Sequence, residues 1–200
     1  MWSNEIQRSI VRWSAVACAS FVVLMCTVCM VLDPALFKHP HWGLSFYGYQ
    51  KSVWWYYYGG FAIVVGCLAR MTSLLWNVVG RWRPLRLVFL GATLCSLGIA
   101  VTSSMQGAFL FWSHMSFCLA LVLVLLPAEV WIVRCPGSNW VDWVGLVGIV
   151  TGTALLLLSA NWIRAVLGIY YWAEVVFFLS ALLALTRAAF RATASDVAKA

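Results

Sequence analysis

The sequence predicts an all-α polytopic membrane bundle of about six helices, and three observations predict it. Apolar residues make up 64% of the 200 residues and charged ones only 10%, with a mean hydropathy of +0.92. A water-soluble chain is charged at roughly a quarter of its positions, so hydrocarbon must cover most of this surface. The apolar residues also gather into six runs near the ~20 residues that cross a ~30 Å hydrocarbon core. Finally, the runs lack the period-two alternation of a barrel strand, and an open sheet would leave backbone groups unpaired in lipid, which leaves helices. No composition break marks off a soluble domain, so residues 1–200 read as a single integral membrane domain.

The first run, 10–32, follows Arg8 and Arg12 in the manner of a signal peptide. At about 23 residues it is long enough to span, and no small-x-small cleavage site precedes a soluble stretch, so it is expected to stay as a span. The connection 33–52 reads DPALFKHPHWGLSFYGYQKS and is the most distinctive segment of the chain. His39 and His41 flank Pro40, and Gly43, Ser45 and Gly48 supply turn formers and a hydroxyl. Two histidines at i and i+2 with no third ligand are a weak metal signal, and no metal is assigned.

The second run, 53–71, opens in a crowd of rings from Trp42 to Tyr58 that includes Tyr47 and is expected to anchor this edge in the headgroup layer. After it, Leu74, Leu75, Val78, Val79 and Trp82 recur at helical spacing beside Arg81, Arg83 and Arg86. This is either a short interfacial helix meeting anionic lipid headgroups or a plain connection carrying inside charge. The third and fourth runs cover 85–105 and 107–133. His114 lies in the fourth, as does Glu129, which is expected to pair locally or reach interfacial water. The fifth run, 141–160, carries Gly145, Gly148 and Gly152, a close-packing stripe and not a nucleotide fingerprint, since it follows no strand. The sixth, 168–187, holds Glu174 at a depth similar to that of His114.

Charge sets the orientation. Ten Lys and Arg (positions 8, 12, 70, 81, 83, 86, 134, 187, 191 and 199) lie on one side and three (38, 51 and 164) on the other, so both termini are expected in the cytoplasm. The net charge of +7 is spread between spans and forms no basic face, which argues against nucleic acid as a partner. Six of the seven cysteines sit in apolar runs, and no CxxC is joined by a second pair at zinc spacing. The chain also has no GxSxG, HExxH or phosphate-loop motif.

The order of small residues and rings in HPHWGLSFYGYQKSVWWYYYGGFAIVVG, through Gly43, Ser45, Tyr47 and Gly48, resembles bacterial six-span membrane proteins of unknown function. These in turn are similar to the DRAM-like membrane superfamily. The resemblance implies a six-helix bundle with a structured external loop, lipid binding and a bacterial inner-membrane location; it carries no catalytic motif.

Two functional classes stand. One is a non-enzymatic protein that binds lipid or another apolar ligand, or serves as accessory subunit to a membrane partner or to copies of itself. The other is an outward-facing enzyme or proton-coupled transporter using His114 and Glu174. Candidate ligand residues are His39, His41, Ser45, Tyr47, His114 and Glu174; candidate headgroup residues are Arg81, Arg83 and Arg86. No cofactor is named by the sequence.

Overall fold

The computed structural model describes residues 4–34, 44–76, 82–103, 107–161 and 169–195. They form six α-helices and one 3-10 helix, with no strand among the described residues: α1 Asn4–Leu32, the 3-10 helix Leu44–Gly48, α2 Trp54–Leu75, α3 Leu85–Thr102, α4 Gly107–Arg134, α5 Trp140–Asn161 and α6 Ile169–Ser195. All six α-helices are long and apolar enough to cross a membrane. His39, His41 and Arg81, together with Val78 and Val79, lie outside the described residues.

Consecutive helices pack side by side, and α6 closes the ring on α1 while also touching α2, α3 and α4. The sequence explains why α6 takes the inner place. Its buried face carries Ala173, Ala181, Ala184, Ala188, Ala189 and Ala192, small side chains that let neighbours approach closely. The tightest approach is to α5, where the expected glycine stripe does its packing. Gly145 faces Ala184, Gly148 faces Ser180, and Gly152 faces the Cβ and backbone nitrogen of Phe177 and the Ala173 carbonyl. A Tyr171 hydroxyl donated to the Cys26 carbonyl at 2.8 Å ties α6 to α1.

Several helices outrun their expected spans. α2 continues past Arg70 to Leu75 and α6 past Arg187 to Ser195. The charge ends neither the helix nor the span-length apolar stretch, which runs through it. Leu74 and Leu75 therefore belong to α2. Trp82 is buried edge-on against Trp131 (5.5 Å) three residues before α3 starts, instead of lying on an interface.

We call the end holding the 3-10 helix the loop end and the end where α1 begins and α6 finishes the basic end. Ser52 donates to Asp33 at 3.2 Å, pinning the base of the loop. The aromatic crowd divides there: Tyr49, Trp55 and Tyr56 face outward as a belt, whereas Tyr47 and Tyr57 turn fully inward. At the basic end, Trp13, Trp76, Trp140 and Trp143 form a second exposed set.

Candidate functional site

At the loop end the polar side chains of four elements converge. Ser45 rides on the 3-10 helix, Tyr57 on the first turn of α2, Thr102 and Ser103 at the end of α3, and His114 two turns into α4. Gly48 makes the seat possible, since a Cβ there would lie 2.8 Å from Ser103 Cβ and 2.9 Å from the Tyr57 ring. Gly98 does the same one turn deeper on α3, where the ring of Phe117 fills the space a side chain would need.

His114 is 3% exposed and uses both ring nitrogens. Nε2 meets Ser45 Oγ at 2.8 Å and Nδ1 meets Thr102 Oγ1 at 3.2 Å. The tautomer follows from the neighbours. Thr102 has one hydroxyl proton and donates it to the Gly98 carbonyl at 2.6 Å, so towards His114 it acts as acceptor and Nδ1 carries the proton. The ring also meets the Ile99 carbonyl of the same helix, which can only accept. Nε2 is left as an acceptor, aimed at the Ser45 hydroxyl. By the same reasoning Ser103 donates to Ile99 (2.6 Å) and receives the Tyr57 hydroxyl at 2.9 Å. Tyr57 also interacts with Ser45.

The other loop-end candidates stand close by. Glu174 on α6 acts electrostatically on Tyr57, Cys118 and Cys26, so it borders this cluster. The nitrogens of His114 bond to hydroxyls and not to this carboxylate. Tyr47, two residues from Ser45, turns towards α6, edge-on to Tyr171 with 6.2 Å between centroids. Its buried hydroxyl has no hydrogen-bond partner, and burial holds the phenol's pKa well above the usual tyrosine range. Among the described residues no three His, Cys, Asp or Glu side chains gather as a metal site.

The second candidate site lies between α2 and α3 towards the basic end. Ala69, Thr72, Ser73, Trp76, Leu90 and Thr93 line a groove of about 520 Å³, within the size range of small-molecule sites. Thr72 and Thr93 bond back to their own helices at 2.8 and 2.7 Å, so the groove presents mainly their methyl groups. Arg86 stacks on the Trp76 ring at 5.2 Å and donates Nη1 to the Trp76 carbonyl at 3.2 Å. Its Nε has no hydrogen-bond partner. Arg83 is exposed and takes no part in the groove.

The basic end is closed by residues that sequence reasoning did not single out. Asp142, fully buried, meets Arg191 Nη1 at 3.1 Å and Arg187 Nε at 3.6 Å, the latter too long for a hydrogen bond. It also accepts the Asn139 N–H at 2.9 Å while Asn139 Oδ1 caps Val141 N at 3.1 Å, a reciprocal capping box. Arg191 further donates to the carbonyls of Ile132, Cys135 and Pro136, at the end of α4 and just beyond it, and lies over Trp82 at 5.0 Å. Glu129 corrects the sequence reading: it is fully buried and neither oxygen has a hydrogen-bond partner, because α4 turns it inward towards Gly145 and not to the interface.

No family model matches the chain, and neither a curated protein nor a solved structure is similar to it. What the fold defines is a class: a six-helix integral membrane protein with hydrogen-bonded polar clusters at both ends.

Proposed function

We propose that this protein binds an anionic lipid, with an acyl chain in the α2–α3 groove and the phosphate at Arg86. One observation carries the reading: a guanidinium fixed by stacking and a hydrogen bond on Trp76, a residue that lines an apolar, lipid-facing groove. Arginine suits phosphate because its planar fork offers several donors at once, and stacking on Trp76 holds that fork in place before the lipid arrives. The ten-to-three charge split supports an orientation with both termini inside, which puts Arg86 in the cytoplasmic leaflet, where anionic lipid is concentrated. The six-span resemblance, with its implied lipid binding, points the same way, and so does an inner-membrane location.

The test is native mass spectrometry of the full chain released from nanodiscs containing phosphatidylglycerol or phosphatidylcholine. Wild type should retain phosphatidylglycerol in preference. Losing charge-assisted bonds of about 1.5–3 kcal/mol, Arg86→Ala should hold it roughly 10- to 100-fold more weakly. Arg83→Ala should hold it as wild type does. Equal retention by Arg86→Ala, or equal loss in both variants, rejects the assignment.

A further inference from the structure

At the loop end, we infer that Ser45 and His114 form a nucleophile and general-base pair that cleaves carboxylic esters of long-chain acids. This inference is independent of the lipid groove, which lies at the other end of the bundle. Nucleophilic catalysis needs three things in space: a hydroxyl, a base within hydrogen-bond reach, and a third group that fixes the base. The structure supplies all three from segments far apart in sequence. Ser45 Oγ stands 2.8 Å from His114 Nε2, and Thr102 holds Nδ1 at 3.2 Å. Because Thr102 spends its own proton on Gly98, the imidazole is locked with Nδ1 protonated, and its free lone pair points at the serine. A hydroxyl in place of the usual carboxylate orients the ring but does not stabilise an imidazolium as strongly, which predicts a slow enzyme. Tyr57 interacts with Ser45 as well as with Ser103; its O–H is donated to Ser103 in the resting state and serves an oxyanion only by turning from Ser103 to the substrate.

The surroundings choose the substrate class. The pair is buried near the end of membrane-spanning helices, at a short helix followed directly by exposed Tyr49, so the accessible esters are those with an apolar acyl chain. In the first half-reaction the Ser45 proton passes to His114 Nε2 and Oγ bonds to the carbonyl carbon. The ester C–O bond breaks, and the alcohol leaves with the proton from His114. Water, deprotonated by His114, then cleaves the acyl-serine ester, releasing the acid and restoring Ser45.

The full chain in nanodiscs would be treated with an alkyl fluorophosphonate and, separately, with p-nitrophenyl esters of long-chain acids. Adduct mass on Ser45 and p-nitrophenol release are expected from wild type, and neither from Ser45→Ala. His114→Gln should slow labelling by at least about 100-fold, the range of general-base catalysis. Thr102→Val should slow it by less, while Thr102→Ser restores it. Intact elution profiles for Ser45→Ala and Thr102→Ser keep folding out of the result. If wild-type Ser45 stays unlabelled, or His114→Gln labels as fast as wild type, the pair is only a hydrogen-bonded latch and the proposal fails. Labelling without ester turnover overturns the acyl-ester assignment.

Discussion

Replacing Arg191 by methionine should cost this protein more than any other single charge removal at its basic end. The guanidinium makes four hydrogen bonds: to Asp142 at 3.1 Å and to the carbonyls of Ile132, Cys135 and Pro136 at 3.3, 3.0 and 2.9 Å. Methionine preserves much of the stem's packing and removes the charge. Asp142 is then left fully buried with the Asn139 N–H and the more distant Arg187. Breaking a buried ion pair from one side typically costs about 3–5 kcal/mol, most of it the stranded partner. For a chain of this length each kcal/mol moves the midpoint by about 2–4 °C, so Arg191→Met should melt roughly 6–20 °C below wild type. Scanning fluorimetry in nanodiscs measures this directly. Asp142→Asn combined with Arg191→Met removes the stranded charge, so the double variant should lose less than the sum of the two single ones, with about 0.5–3 kcal/mol of coupling. A single variant within 2 °C of wild type by rough estimate, or strict additivity, would refute the reasoning that this clasp holds α4, α5 and α6 together.

Other expectations concern packing and ionisation. Gly148→Leu forces a side chain onto Ser180 at the closest point between α5 and α6, and overpacking of this kind costs about 1–3 kcal/mol; Gly59→Leu, where a Cβ meets nothing, should melt as wild type does. Tyr47 has its phenol pKa raised by burial, so its contribution to stability is complete below the ordinary tyrosine pKa of about 10 and is lost as pH rises beyond it. Tyr47→Phe should flatten the alkaline limb of the melting-temperature profile; an unchanged limb assigns that loss to other groups.

Most of the fold was legible because lipid allows so few backbone solutions. Length and hydropathy alone locate α1 to α6, and the stripe at Gly145, Gly148 and Gly152 marks the α5–α6 contact. Helix ends were less legible, since the charges of Arg70 and Arg187 do not stop the backbone hydrogen bonding that carries α2 to Leu75 and α6 to Ser195. The Asn139–Asp142 capping box was readable from its spacing and passed unnoticed beside the intramembrane His and Glu. The loop-end cluster was legible in part. His114 and Ser45 were both candidates, but no sequence rule pairs residues 69 apart, and hydroxyl partners such as Thr102 and Ser103 resemble ordinary helix residues until the rotation of α3 is known.

The same rotation bears on proton-coupled transport. His114 and Glu129 share the inward face of α4, 15 positions and so about 22 Å apart. Between them that face presents Cys118, Leu121 and Leu125. A proton relay needs polar groups or waters at hydrogen-bond spacing, and between Cys118 and Glu129 the inward face of α4 itself presents only apolar side chains. Glu174 does not shorten the gap, because it lies at the level of Tyr57 and Cys118. A transporter built on His114 and Glu174 must therefore open α4 from α6 across Leu121 and Leu125 in each cycle. That opening exposes backbone amides, so hydrogen exchange at residues 121–125 should rise when a pH gradient is imposed across proteoliposomes. Protection that ignores the gradient rules such a transporter out and leaves the loop-end cluster working on its own side of the membrane.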